Sequence, residues 1–179
     1  MLWGNCRFTF IWKSIIFVCA NNKWLIIVMN LAKEVAMMLN TYIKECLYFT
    51  ANRLSRVITK MAEDEFAASG LSPTYAYLLM AVYEKEGISQ KELGEILHLQ
   101  PSTVTRLIEK LAVKGLVYNR VEGRMSLIYT TDKGKALEEV IHECWNHLRS
   151  RYGAILGNAE GDELSLRLYE VSDQLENKD

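Results

Sequence analysis

Residues 88–134 read ISQKELGEILHLQPSTVTRLIEKLAVKGLVYNRVEGRMSLIYTTDKG, and this stretch decides the fold. It opens with a capping box, Ser89-Gln90-Lys91-Glu92, in which a serine and a glutamate three residues later satisfy each other's free backbone N–H groups. The short helix that follows, Gln90–Leu97, is expected to bury Leu93, Ile96 and Leu97. Pro101 suits the first turn of a second helix and Gly115 suits its end, which predicts a helix from Pro101 to Lys114. Val104, Leu107, Ile108 and Leu111 recur at i, i+3, i+4 and i+7 and form its core face. At 100° per residue the opposite face carries Ser102, Arg106, Glu109 and Lys110, with Thr103 on the flank. Two short helices joined across His98-Leu99-Gln100, the second with a polar Ser/Thr/Arg face, predict a helix-turn-helix. Leu116–Val121 and Ser126–Thr130 then have strand character around the turn Glu122-Gly123-Arg124. A hairpin placed there is a wing.

Working outward, Leu31–Phe66 reads as one long helix with an apolar stripe (Leu31, Val35, Met38, Tyr42, Leu47, Leu54, Val57, Ile58, Met61) and no Gly or Pro inside. Such a stripe needs a partner surface, and a second subunit is the economical source. Gly70 breaks the helix. Ser72-Pro73 then offers a cap and a first helical proline for an aromatic-rich helix, Thr74–Glu86. Downstream, helical periodicity returns in Ala136–Leu156. After a loop at Gly157–Gly161, a last amphipathic segment follows with Leu164, Leu168, Val171 and Leu175 on one side. The fold class is therefore mainly α with a small β-hairpin wing: a winged helix-turn-helix over 70–134, flanked by helices at 29–69 and 135–179.

The whole chain has 179 residues, 21 Lys+Arg and 22 Asp+Glu, so no global basic field draws it to nucleic acid. The charge is divided, however. Ser89–Lys135 holds eight basic and five acidic residues, whereas Asn158–Asp179 holds two and seven. Residues 1–29 are different again, with 20 apolar residues, three of the four Trp, no acid, and Arg7, Lys13 and Lys23 as their only charges. A membrane span needs about 20 apolar residues in a row, and Lys13 and Lys23 cut this run into short pieces. A signal peptide fits loosely. The abrupt change of material at Met29 favours translation normally beginning there, with 1–28 upstream sequence or a dispensable extension, over a genuine packed extension.

Five fragments in order carry a resemblance. They are Gly70-Leu71-Ser72-Pro73-Thr74, Ile88-Ser89-Gln90-Lys91-Glu92-Leu93, Ser102-Thr103-Val104-Thr105-Arg106-Leu107-Ile108-Glu109-Lys110-Leu111, Lys114-Gly115-Leu116-Val117 and Thr131-Asp132-Lys133-Gly134. Over about residues 40–157 the chain resembles the multiple-antibiotic-resistance regulator (MarR) family. The resemblance implies a homodimeric winged helix-turn-helix transcription factor whose N- and C-terminal helices build the dimer. It also implies small-molecule or oxidative control of DNA binding. Family wings often carry an Asp-x-Arg pattern at the tip; here Arg124 matches the arginine and Glu122 stands in for the acid.

Major-groove readout needs hydrogen-bonding and small apolar side chains at the start of an exposed helix. Gln100, Pro101, Ser102, Thr103, Thr105 and Arg106 supply them, with Arg106 the candidate for a guanine edge or a phosphate. Lys110 and Lys114 suit phosphates, and Arg120 and Arg124 belong to the wing. The expected partner is double-stranded DNA bearing a pseudo-palindromic operator. Tyr48, Phe49, Tyr75, Tyr77, Met80 and Trp145 could line an apolar effector pocket, with Arg53 or Arg56 for an anionic group; plain core packing competes with that reading. The effector would be a small aromatic or anionic molecule. Cys46 is a redox candidate, although a lone cysteine is usually a buried structural thiol.

No metal or cofactor is expected. In His142-Glu143-Cys144-Trp145-Asn146-His147 only Cys144 and His147 share a helical face, and two ligands do not make a zinc site. No phosphate loop or nucleophile–base signature points to an enzyme. The expected protein is a cytoplasmic repressor without a membrane partner. Its rivals are a winged-helix protein-interaction module that does not bind DNA and a regulator tethered to a membrane by residues 1–28.

Overall fold

The structure is a computed structural model that describes residues 23–123 and 125–177. The reading of residues 1–22 and the assignment of Arg124 therefore lie outside the described residues. The chain divides into two compact units, Met1–Arg56 and Val57–Asp179.

The first unit contains helix α1 (Lys23–Glu45) and the beginning of α2 (Leu47–Phe66). The single helix expected from Leu31 thus starts earlier, runs through Met29 unbroken, and is interrupted at Cys46 alone. The backbone ladder nearly spans the break, because Cys46 N–H donates to Tyr42 O and Thr50 N–H donates to Cys46 O, both at 3.1 Å. The Thr50 hydroxyl also donates to the carbonyls of Cys46 and Leu47 at 3.1 Å. Such back-bonding competes with the helical ladder and bends helices. Val28, Leu31, Val35, Leu39, Tyr42 and Cys46 share one side of this helical path, and Asn30, Lys33 and Lys44 lie opposite. The large apolar side chains on that side are exposed. Because the apolar character continues past Met29, Ile26–Glu45 is long and apolar enough to cross a membrane, with a mean hydropathy of 1.2. The lysine-interrupted run before Met29 does not show this.

The second unit is built around α3 (Pro73–Glu84). Ala76, Leu78, Leu79 and Val82 are all buried, so this helix is apolar on several sides and occupies the centre. Ser72 stands at its N-cap position, but its side chain makes no capping bond. Around α3 come β1 (Ile88–Ser89), α4 (Gln90–Ile96), α5 (Pro101–Val113), β2 (Val117–Glu122) and β3 (Met125–Thr130). Two further helices, α6 (Asp132–Lys135) and α7 (Glu138–Leu156), precede the last one, α8 (Asn158–Glu176). Phe66, Leu78, Leu79, Ile88, Leu93, Val104, Leu111, Ile128 and Ile141 are among the fully buried side chains of the core. Each such side chain contributes about 1.5–3 kcal/mol by burial.

Three local features differ from the expectation. The two-residue β1 turns the hairpin into a three-stranded antiparallel sheet of order β1-β3-β2, with Ile88 opposite Ile128. The helix expected from Ala136 is preceded by a separate turn, α6, capped by Thr131 through its hydroxyl and the Gly134 N–H at 3.0 Å. The loop expected over Gly157–Gly161 shrinks to Gly157. That residue has φ +92°, where glycine is favoured, and α8 begins directly after it.

Candidate nucleic-acid interface

The reading head begins with the capping box. Glu92 N–H donates to Ser89 Oγ at 3.2 Å, and Ser89 N–H donates to Glu92 Oε2 at 2.9 Å. Lys85 Nζ donates to the other carboxylate oxygen at 2.5 Å. The Lys85 bond, with those from Ser89, holds the Glu92 carboxyl down at about 2. The box fixes where α4 starts; the helix buries Leu93 and half-buries Leu97, but Ile96, expected in the core, is exposed because it lies on the outer side of this short helix. Its end is fixed by Gly94, whose carbonyl accepts from Leu99 N–H at 2.9 Å. A side chain at Gly94 would press on Leu99 O at 3.2 Å, so the small residue permits the tight crossing of α4 and α5.

Helix α5 buries Val104, Ile108 and Leu111 and leaves Leu107 half-buried. This core side turns the other face outward: Gln100, Pro101, Ser102, Arg106, Glu109 and Lys110 are exposed, and Thr103 is half-buried. Thr105 has a different environment. Its hydroxyl donates to Pro101 O at 2.9 Å and accepts from Gln90 Nε2, tying α5 to α4. Among the residues named for readout, Thr105 is thus engaged within the helix-turn-helix itself.

The wing is a regular antiparallel pair from Val117↔Thr130 to Glu122↔Met125. Alternation places Tyr118, Arg120 and Glu122 on one face, and the Tyr118 and Tyr129 rings stack across the strands at 5.5 Å. Arg120 is exposed and lies 3.4 Å from Glu122, a pair worth little in solvent. The base of the wing is locked to the core. Thr130 N–H donates to Glu86 Oε2 at 3.0 Å, and Thr131 Oγ1 donates to Gly115 O at 2.7 Å. Tyr83 Oη donates to Gly134 O at 2.6 Å. Burial, reinforced by the charges of Glu138 and Glu86, pushes the Tyr83 phenol up to about 12, so it remains a donor at neutral pH. Lys133 Nζ reaches Lys114 O at 2.9 Å, bringing a second basic side chain to the end of α5.

A cleft of about 730 Å³ lies beside the start of α5, lined among others by Gln90, Lys91, Leu99, Gln100, Met125 and Ser126. Of its walls, only Gln100 and Pro101 were legible from the sequence as part of the DNA site. Lys91 and Ser126 are 35 positions apart, and only β1 pairing with β3 brings the wing strand beside α4. No local signal carries that.

The other candidates fall into different places. Tyr48 and Phe49 meet edge to face at 5.4 Å, and both are exposed, as is Arg53. These three belong to the first unit. Tyr75, Tyr77, Met80 and Trp145 are half-buried against the core of the second unit, Tyr77 against Phe66 at 5.6 Å. Burial, then the charge of Tyr152, raises the Tyr77 phenol. Arg149 lies over Trp145 at 5.7 Å. Cys46 is half-buried, whereas Cys144 is buried and its thiol is pushed up by that burial. Among the described residues no group of three or more His, Cys, Asp or Glu is placed to hold a metal ion.

Comparison with known proteins places this arrangement in a family. A profile described as MarR family matches residues 69–124. The HTH-type transcriptional regulator SarZ of Staphylococcus epidermidis is 32% identical over 107 residues, covering 58% of this chain and 72% of the relative. Among solved structures, the PcaV transcriptional regulator of Streptomyces coelicolor, in complex with its natural ligand, superposes with a TM-score of 0.67 at 23% identity. That match covers 73% of this chain and 94% of PcaV. The S. aureus MepR–DNA complex superposes with a TM-score of 0.64 at 19% identity, covering 73% of this chain and 98% of MepR.

Proposed function

The chain belongs to the MarR family of transcriptional regulators, and on that premise we propose that it acts as a homodimeric repressor of a pseudo-palindromic operator. The observation that carries the reading is the division of α5. One side is locked into the core by Val104, Ile108 and Leu111, and the other offers Ser102, Arg106 and Lys110 to solvent beside the wing. A rigid helix with this face fits the major groove, and Arg106 is the residue suited to a bidentate contact with guanine or phosphate. Gln100, Pro101, Ser102 and Thr103 read the bases near it, Lys110 meets phosphate, and Arg120 with Arg124 serves the wing. Thr105 supports the reading head by holding α4 and α5 together.

The exposed apolar side of α1, from Val28 to Tyr42, and the leucines of α8 supply the surfaces for a second copy. Two copies would set their recognition helices about 34–36 Å apart, one turn of DNA. A small aromatic or anionic effector relieves binding. Solved MarR-type structures with a ligand, such as PcaV, support that part, and mass spectrometry of co-purifying molecules would identify the effector. The site of action is the cytoplasm, where the DNA is.

The test is a gel shift on DNA flanking the gene, with the parent chain and Arg106→Ala at two salt concentrations. Loss of a bidentate contact costs about 1–3 kcal/mol, so affinity falls roughly 5- to 150-fold. If Arg106 meets phosphate instead, the salt slope drops by about one. Absence of a salt-sensitive shift, or an unchanged one in the variant, refutes the mechanism and favours a protein-interaction module.

A further inference from the structure

We infer that Tyr169, on the C-terminal helix α8, is a positioning residue for the recognition helix, acting through His98. The inference rests on the DNA-reading role of α5 and adds to it a control point far along the chain.

The turn between α4 and α5 sets the angle at which α5 leaves the core. It is narrow: Leu97 N–H donates to Leu93 O at 3.0 Å, and Leu99 N–H donates to Gly94 O at 2.9 Å. Between these two bonds His98 has φ +50°, and it is the non-glycine residue with positive φ among the described residues. The left-handed region is uncommon for a side chain with a Cβ, histidine being one of those that enter it most readily, and it turns the exposed His98 side chain toward α8. Its ring meets that of Tyr169 edge to face, with centroids 5.6 Å apart and planes at 73°. This is a favoured geometry for an aromatic pair.

Tyr169 is well placed to transmit position. Helix α8 is fastened to α7 by Arg149–Asp162 at 2.6 Å and by the close approach of Gly161 to the Tyr152 ring. Leu164, Leu168 and Leu175 share one exposed stripe of α8, and Tyr169 projects from a different side, over 100° away around the helix. One rigid helix therefore presents a stripe to a second copy and a ring to the DNA-reading turn. A shift of α8 at the subunit contact is delivered to α5 through the Tyr169–His98 pair.

The experiment uses the full chain and fluorescence anisotropy on two labelled duplexes of equal length. One is the DNA immediately upstream of its own coding sequence, and the other is its scrambled counterpart. The variants are Tyr169→Ala, Tyr169→Phe, His98→Asn and the double variant Tyr169→Ala/His98→Asn. Asparagine accepts the left-handed φ but removes the ring.

Tyr169→Ala should weaken binding to the upstream duplex roughly 2- to 12-fold, the 0.5–1.5 kcal/mol of an edge-to-face pair converted at 1.4 kcal/mol per decade. Tyr169→Phe should restore parental affinity, because the ring edge is kept. In the His98→Asn background Tyr169→Ala should add nothing, the signature of a coupled pair. Parental affinity in Tyr169→Ala, or additive effects of the two substitutions, overturns the inference. A parent chain that does not distinguish the two duplexes overturns the DNA-reading role instead, so the two failures are separable.

Discussion

Gly134 is the position where the wing, the central helix and the C-terminal helices meet, and replacing it by alanine tests that junction. Its backbone needs no unusual φ; what it needs is space. A Cβ built there lies 2.1 Å from Leu116 O, 3.1 Å from Leu116 C and 3.5 Å from Leu116 Cα, all backbone atoms. No rotamer change relieves that overlap, so the two segments must part by about 1.4 Å, since unstrained contacts fall near 3.5 Å. Leu116 O accepts from Thr131 N–H at 3.1 Å, and Gly134 O accepts from Tyr83 Oη at 2.6 Å, so parting strains both bonds. Overpacking costs about 1–3 kcal/mol, and each lost hydrogen bond costs about 0.5–1.5 kcal/mol. With overpacking and the equivalent of one of the two bonds lost, a central value is about 3 kcal/mol. For a chain of this size that lowers Tm by about 6–12 °C.

Thermal unfolding followed by circular dichroism measures the loss directly. Gly115→Ala is the control, because Gly115 has φ +70° but open space around it, so it meets strain without collision. A Gly134→Ala protein melting within about 2 °C of its parent, or above Gly115→Ala, would refute the argument from close backbone approach.

Other outcomes follow from the same geometry. Glu92 titrates at about 2, below its ordinary 4.5, so its contribution is complete above the ordinary value and is lost as pH falls through about 2. Melting temperature measured between pH 7 and pH 2 should therefore drop in the parent through this window, and Glu92→Gln should flatten the drop. An identical acid profile in the two proteins removes the capping box from the acid response. Cys144 is buried with a raised thiol, so iodoacetamide at pH 8 should leave it unmodified in the native protein and alkylate it in urea. Peptide mapping reads both states, and native alkylation of Cys144 contradicts the packing of α7 against the core.

Much of the reading head was legible because its signals are local. A capping box spans four residues, a first-turn proline and a terminal glycine bound α5, and the i, i+3, i+4, i+7 pattern names the buried face. Each is a contact between neighbours in the chain, and the structure places the boundaries within a residue or two of the expected ones. The junction at Cys46 was not legible, because a threonine hydroxyl competing for helical carbonyls leaves the apolar period unchanged. Nor was β1, whose two residues become a strand only because β3 lies beside them.

By itself the sequence determined the types of the longer elements, the division of charge between a basic reading head and an acidic last helix, and the exposure of Arg106. It could do so because helix periodicity and caps act over a few residues. Only the tertiary structure decided which polar groups remain free. Thr105 looks like a base-reading threonine in the chain, yet its hydroxyl is engaged by Gln90 and Pro101. His98 looks like an ordinary turn residue, yet it adopts a left-handed conformation beside Tyr169, 71 positions away. Contacts of that separation depend on how α8 returns along α7 and how the sheet closes on α4. Their free energy comes from surfaces that meet only once the chain has folded.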